Sequence, residues 1–240
     1  MLPGHVRCGK QLALALSPLA HDQENTSCPA QLEFRARGWA KSRVLGSQLQ
    51  MIESIHLRNR SWHDLALLGT ALDTMLRASD LLKLKVSDVM YPSGKFRSEI
   101  RCRQQKTKRN VYPVLNEATK NYLTIWIRLS GKKQHHYLFT RTKGRDSEPI
   151  SRGQYARLTK RWADWLELPP EEFSTHSLRR SRAVIMFEKG EPIELISKLL
   201  GHKSAEVTTQ YLGIDQKKAA AASLRHPVLK GPTKEILLQI

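Results

Sequence analysis

The chain has 240 residues, 40% of them hydrophobic, and a formal net charge of +18. That is enough apolar content to bury the core of one sizeable domain or two small ones, which argues against a disordered polyelectrolyte. Three widely spaced cysteines, Cys8, Cys28 and Cys102, exclude a disulfide framework and suggest neither a zinc site nor an oxidising compartment.

The positive excess fits an extended polyanion, either nucleic acid or an anionic membrane surface. It sits in residues 51–170, which hold 23 Lys and Arg against 11 Asp and Glu, so it is not confined to a tail. No run approaches the roughly 18 apolar residues of a membrane span. "QLALALSPLA" at residues 11–20 is too short and poorly flanked for a signal peptide. The expectation is a protein of the cytoplasm.

Residues 1–50 show no sustained period and mix Pro, Gly, Ser and Asn with scattered charge, which reads as a poorly ordered leader. Periodicity begins at "SWHDLALLGTALDTML", where Ser61 and Asp64 stand in a capping-box spacing and Leu65, Leu68, Leu72 and Met75 recur at helical intervals. A short helix follows with Ser79 as its expected N-cap. After the "YPSGK" turn, "KFRSEIRCRQQKTKRNVYPV" alternates like two or three antiparallel strands joined by a polar connection, and "HHYLFT" resembles another strand. "NEATKNYLTIWIRL" and "SRGQYARLTKRWADWLEL" read as helices, the second stopped by Pro169 and Pro170. Three more helices end at Gly190, Gly201 and Gly213. The expected class is α+β, mostly α, with one small antiparallel sheet. The domain runs over 51–215, and 216–240 form a Pro-broken tail.

One stretch poses a chemical question. "THSLRRSRAV" puts His176 and Arg179 on one helix face, flanked by Arg180 and Arg182, with no carboxylate near in sequence. Such a cluster is costly unless an anion meets it. Taken singly, each basic residue has a plain explanation. His-x-x-Arg makes a solvated face, Arg77 ends a helix, Lys106 adds to a general electrostatic footprint, and His202 follows a C-cap.

Taken together and in order, Arg77 in "TMLRASDLLKLKVSDV", Lys106 in "QQKTKRNVYPV", "THSLRRSRAV" and "ISKLLGHKSAEVTTQYL" resemble the tyrosine recombinase (phage integrase) family over residues 61–214. The resemblance implies that family's catalytic-domain fold and a site-specific recombinase working through a 3′-phosphotyrosyl DNA intermediate, without cofactor or metal. It implies Arg77 and Arg179 on the non-bridging oxygens, since a guanidinium offers paired hydrogen bonds and keeps its charge. His176 and His202 would donate hydrogen bonds or accept a proton, Lys106 would be the general acid, and Tyr211 the nucleophile. Asp80 would orient the pocket. Double-stranded DNA is the implied partner, contacted by Lys108, Arg109, Arg157, Lys160, Arg161, Arg180 and Arg182, with a tetramer assembling on two sites in a nucleoid setting.

The leader is then either a poorly ordered extension of a compact, catalytic-domain-only enzyme or the remnant of an N-terminal DNA-binding region. In the tail, Ile236, Leu237, Leu238 and Ile240 offer a docking segment for a neighbouring protomer. Phage, plasmid or another mobile element is the implied setting. Three other readings stand beside this one: an inactive DNA-binding accessory protein of the same fold, a type IB topoisomerase, and a metal nuclease built on Asp73, Asp80 and Asp88.

Overall fold

A computed structural model describes residues 44, 46–140, 148–170 and 173–214. The expectations for the leader up to residue 43 and for the tail from residue 215 lie outside these residues. The first helix, α1 (Gly46–Arg58), begins within the segment read as leader and turns Leu49, Ile52 and His56 inward. Helix α2 (Trp62–Thr74) is buried on most of its circumference, through Leu65, Ala66, Leu67, Leu68, Thr70, Ala71 and Thr74. A helix apolar nearly all round has to be central, and α2 packs against α1, α5 (Glu117–Ser130) and α7 (Thr175–Glu188).

The approach of α2 to α5 is close because Gly69 has no side chain: a Cβ there would lie 2.6 Å from Thr119 Oγ1. The same pair is tied by Asn116, the N-cap of α5, which accepts from Thr119 N at 2.8 Å. Asn116 also donates through its backbone and side-chain nitrogens to the two oxygens of Asp73, at 2.9 and 2.8 Å.

Two short helices, α3 (Ala78–Leu81) and α4 (Val86–Val89), lead to a sheet of two residues per strand. In it β1 (Cys102–Arg103) pairs antiparallel with β2 (Asn110–Val111), Cys102 opposite Val111 and Arg103 opposite Asn110. The alternation in the sequence promised more strand than forms. "HHYLFT" contributes only isolated bridges, Lys85 with Tyr137 and Thr140 with Pro149, because one β-bridge at a time joins it to the helical body.

Helices α6 (Arg152–Trp165), α7, α8 (Ile193–Leu200) and α9 (Ala205–Leu212) complete the described chain. Gly201 and Gly213 close α8 and α9 in the left-handed conformation, at φ 64° and 67°, as the glycine stops led one to expect. The main core gathers Ile52, Leu67, Leu123, Leu138, Phe139, Tyr155 and Trp162. A second cluster of Met75, Ala183, Val184, Ile196, Leu200 and Leu212 joins the end of α2 to α7, α8 and α9, and Tyr211 packs against it.

Two capping expectations are corrected. Ser61 makes no side-chain cap bond: its backbone, at φ −81° and ψ 67°, stands outside the extended conformation of an N-cap, and its N–H donates to His56 O at 2.9 Å. The N-cap of α3 is Arg77, not Ser79; α2 ends at Thr74, one residue before the last apolar position of the spacing, with Met75 in the left-handed conformation at φ 46°.

Candidate active site

The end of α2 supplies the first half of the site. Met75 turns the chain sharply and leaves its carbonyl facing α7, where Arg179 Nη1 donates to it. The other end of the guanidinium, Nη2, donates to Leu200 O at the C-terminus of α8, at 2.6 Å. Arg179 is 2% exposed. Burial pulls its pKa down to about 10, with the neighbouring Tyr211 opposing the shift and Arg77 adding to it, so it stays charged at neutral pH. The carboxylate missing from the local sequence is replaced by two backbone carbonyls, one of them in the negative end of a helix.

Helix α9 brings Tyr211 over this floor. Its ring meets His176 edge-on with centroids 5.3 Å apart and His202 at 5.2 Å, while Arg180 Cζ stands 5.7 Å from the ring centre. The Tyr211 hydroxyl is buried beside the Arg179 guanidinium, and among the described residues it meets no donor or acceptor in good hydrogen-bond geometry. Burial raises its pKa, against the downward pull of Arg179, Arg180 and Arg77. The cations expected to activate the phenol are therefore present, but in the phosphate-free protein desolvation outweighs them and the proton stays on.

Both histidines are pushed the other way. His202 is brought down to about 4 by burial first, then by Arg179, Arg77 and His176; its Nδ1 lies 3.0 Å from Thr208 Oγ1. His176, exposed at the mouth of the site, is lowered by desolvation and then by Arg179, Arg77, Arg180 and Lys106. At neutral pH the tyrosine keeps its proton and both imidazoles are neutral, the arrangement in which an imidazole can accept that proton.

The β1–β2 hairpin forms the remaining wall. Lys106 and Lys108 are exposed on its tip, with Lys108 at φ 56°. Asp80, 4% exposed, accepts from Gln105 N at 3.0 Å and so holds the hairpin next to the end of α3. Arg109 donates to His202 O at 2.7 Å, which ties the hairpin to the turn after α8.

Of the other basic candidates, Arg182 is half-buried on α7 and Lys160 is exposed on α6. Arg157 and Arg161 line a cleft with Arg60, Trp62 and Trp126; these residues are not part of the cluster around Tyr211. The three aspartates considered as metal ligands each accept from a different backbone N–H: Asp73 from Asn116, Asp80 from Gln105, Asp88 from Lys85. They do not converge.

Gln104 was missed in the sequence. It is fully buried, and its side chain accepts from Arg77 Nη1 at 2.6 Å and donates to Leu200 O at 3.0 Å. A signal was present: in the alternation of the hairpin, Gln104 falls on the inward side with Cys102, and a polar residue in an inward register needs partners.

Comparison with known proteins agrees with this geometry. A family model described as phage integrase family matches residues 46–218. A probable integrase/recombinase, YoeC of Bacillus subtilis, is 30% identical over 176 residues, covering 72% of this chain and 91% of that protein. Tyrosine recombinase XerD of Rickettsia bellii is 30% identical over 165 residues, covering 65% of this chain and 53% of the relative, so the chain matches about half the length of that protein. Among solved structures, the XerA recombinase shares the fold at a TM-score of 0.61 and 19% identity, over 80% of this chain and 66% of that one. The XerH site-specific recombinase in a post-cleavage complex with its difH substrate aligns at 0.59 and 20% identity, over 77% and 52%.

Proposed function

The chain belongs to the phage integrase family, and from that premise we propose that it is a site-specific DNA recombinase that cuts and rejoins DNA through Tyr211. The observation that carries this reading is the convergence of Tyr211, His176, His202 and Arg179 on one another from three separate elements. Evenly distributed basic residues would serve DNA binding alone and would not surround a buried phenol.

In the proposed reaction the Tyr211 oxygen attacks a scissile phosphorus and the bond to the 5′ oxygen breaks. The phenol proton passes to a neutral imidazole of His176 or His202, and the departing 5′ oxygen takes a proton from Lys106. Arg77 and Arg179 hold the two non-bridging oxygens, where losing one preorganised donor costs about 3–4 kcal/mol of transition-state stabilisation. The product is a 3′-phosphotyrosine, an ester of the same kind as the one broken, so a DNA hydroxyl reverses the step without an external energy source. Attack by a hydroxyl from a partner duplex completes strand exchange. Four such sites on two duplexes make a recombining assembly, which is why a tetramer formed on DNA belongs to this reading.

Trapping the covalent step tests it. The protein is incubated with a pool of labelled duplexes of randomised sequence, nicked so that the fragment released by cleavage diffuses away. The expected result is label on the 27.5 kDa chain, sensitive to protease and lost in Tyr211→Phe. A Tyr211→Phe protein that still captures label refutes the nucleophile. Tight binding of the pool with no capture by the wild type leaves the accessory DNA-binding protein as the better reading.

A further inference from the structure

Gln104 makes more of the site than its place at the start of "QQKTKRNVYPV" suggests. Its amide reaches three segments that are far apart in sequence. The oxygen accepts from Arg77 Nη1 at 2.6 Å, at the junction of α2 and α3, and from Thr107 Oγ1 at 2.7 Å, in the hairpin tip. The nitrogen donates at 3.0 Å to Leu200 O, the carbonyl that also accepts from Arg179 Nη2 at 2.6 Å.

The amide orientation follows from these partners: turned over, it would set NH₂ against a guanidinium and oxygen against a carbonyl. Its backbone takes part as well, with Gln104 N donating to Arg109 O and Lys108 N donating to Gln104 O, each at 2.9 Å. The side chain is 0% exposed, and Gly201 lies so close that a Cβ there would come 2.7 Å from the amide oxygen. The two arginines of the site are thus joined through one side chain and one carbonyl, and the same side chain pins the loop that carries Lys106.

We infer that Gln104 is a positioning residue that fixes Arg77 relative to Arg179 and holds the lysine hairpin in place, an inference that rests on the recombinase reading for its consequence in catalysis. It touches no reacting atom. Its effect is on where the donors and the general acid stand when phosphate arrives, and errors near 1 Å in such placement cost about a hundredfold in rate.

The full-length chain, wild type and Gln104→Met, decides the matter in two measurements. In amide hydrogen exchange of the free protein, residues 105–109 of Gln104→Met should exchange at least about tenfold faster, with the interior of α7 unchanged. With the randomised nicked pool, covalent capture should fall about a hundredfold while non-covalent binding stays within about twofold. Unaltered exchange in the hairpin overturns the proposal, and so does a capture rate that is unchanged or that falls only as far as binding does.

Should Gln104→Met fail to fold, Thr107→Val removes one of the amide's bonds, and roughly three- to tenfold slower capture with faster hairpin exchange is expected. No change in either overturns the proposal equally. If the wild type captures no DNA, the recombinase reading has failed, and the exchange measurement by itself still decides whether Gln104 holds the hairpin.

Discussion

Replacing His202 by asparagine should make the protein less sensitive to mild acid. The native imidazole has its pKa held near 4, against 6.5 when unfolded. Above 6.5 neither state binds the proton and the stability is intact. As pH falls from 6.5 the unfolded chain takes up a proton that the native site refuses, so stability drains away until about 4, where both are charged. At about pH 5 the two values give a loss of about 2 kcal/mol, and the partial exposure of the ring reduces this to about 1 kcal/mol. Urea unfolding followed by tryptophan fluorescence, with Trp162 buried as an internal reporter, measures it at about pH 7.5 and about pH 5. The asparagine variant should lose about 1 kcal/mol less than the wild type over that interval, while His176 remains in both proteins and cancels. Equal losses in the two proteins would mean that the folded site tolerates an imidazolium beside Tyr211, and would refute the depressed basicity of His202.

Gly201→Ala should lower the melting temperature by about 4–8 °C, from roughly 1 kcal/mol for an alanine in the left-handed conformation and a similar amount for displacing Gln104; an unchanged melting curve would show that the Gly201–Gln104 contact is slack. Asn116→Ala should cost about 1–2 kcal/mol in urea unfolding by removing the α5 cap and one bond to Asp73, with capture per folded molecule within about twofold of wild type. A comparable drop in capture would show that the α2–α5 end is coupled to the site.

The family resemblance was legible because the reaction fixes residue types: each of the four segments carries a side chain that the chemistry needs, and the i, i+3 spacing keeps His176 and Arg179 on one face of α7. The helices themselves were legible from apolar period and glycine stops. What escaped were features decided by groups distant in sequence. Ser61 has the spacing of a cap, but its N–H is taken by His56 O and its backbone sits outside the cap conformation. Arg109 looks like any exposed cation in a basic run, and only the folded hairpin brings His202 O to it. Gln104 depends on a carbonyl 96 residues away. A count of nearby cations likewise carries no information about how deeply the Tyr211 hydroxyl is buried.

The two carbonyls on Arg179 have a consequence for discrimination along a DNA strand, where every nucleotide presents nearly the same phosphate. A surface arginine on a free stem greets an anion from any side. Arg179 has one hydrogen of each terminal nitrogen committed to Met75 O and Leu200 O, and its remaining donors point in directions set by the backbone, not by the ligand. It works as a gauge of approach: a phosphate arriving at another angle finds the fork already turned away. On the recombinase reading, the strand then has to be seated in register before this arginine engages it, which would place the first selection among chemically equivalent phosphates in the shape of the protein, before any bond is broken.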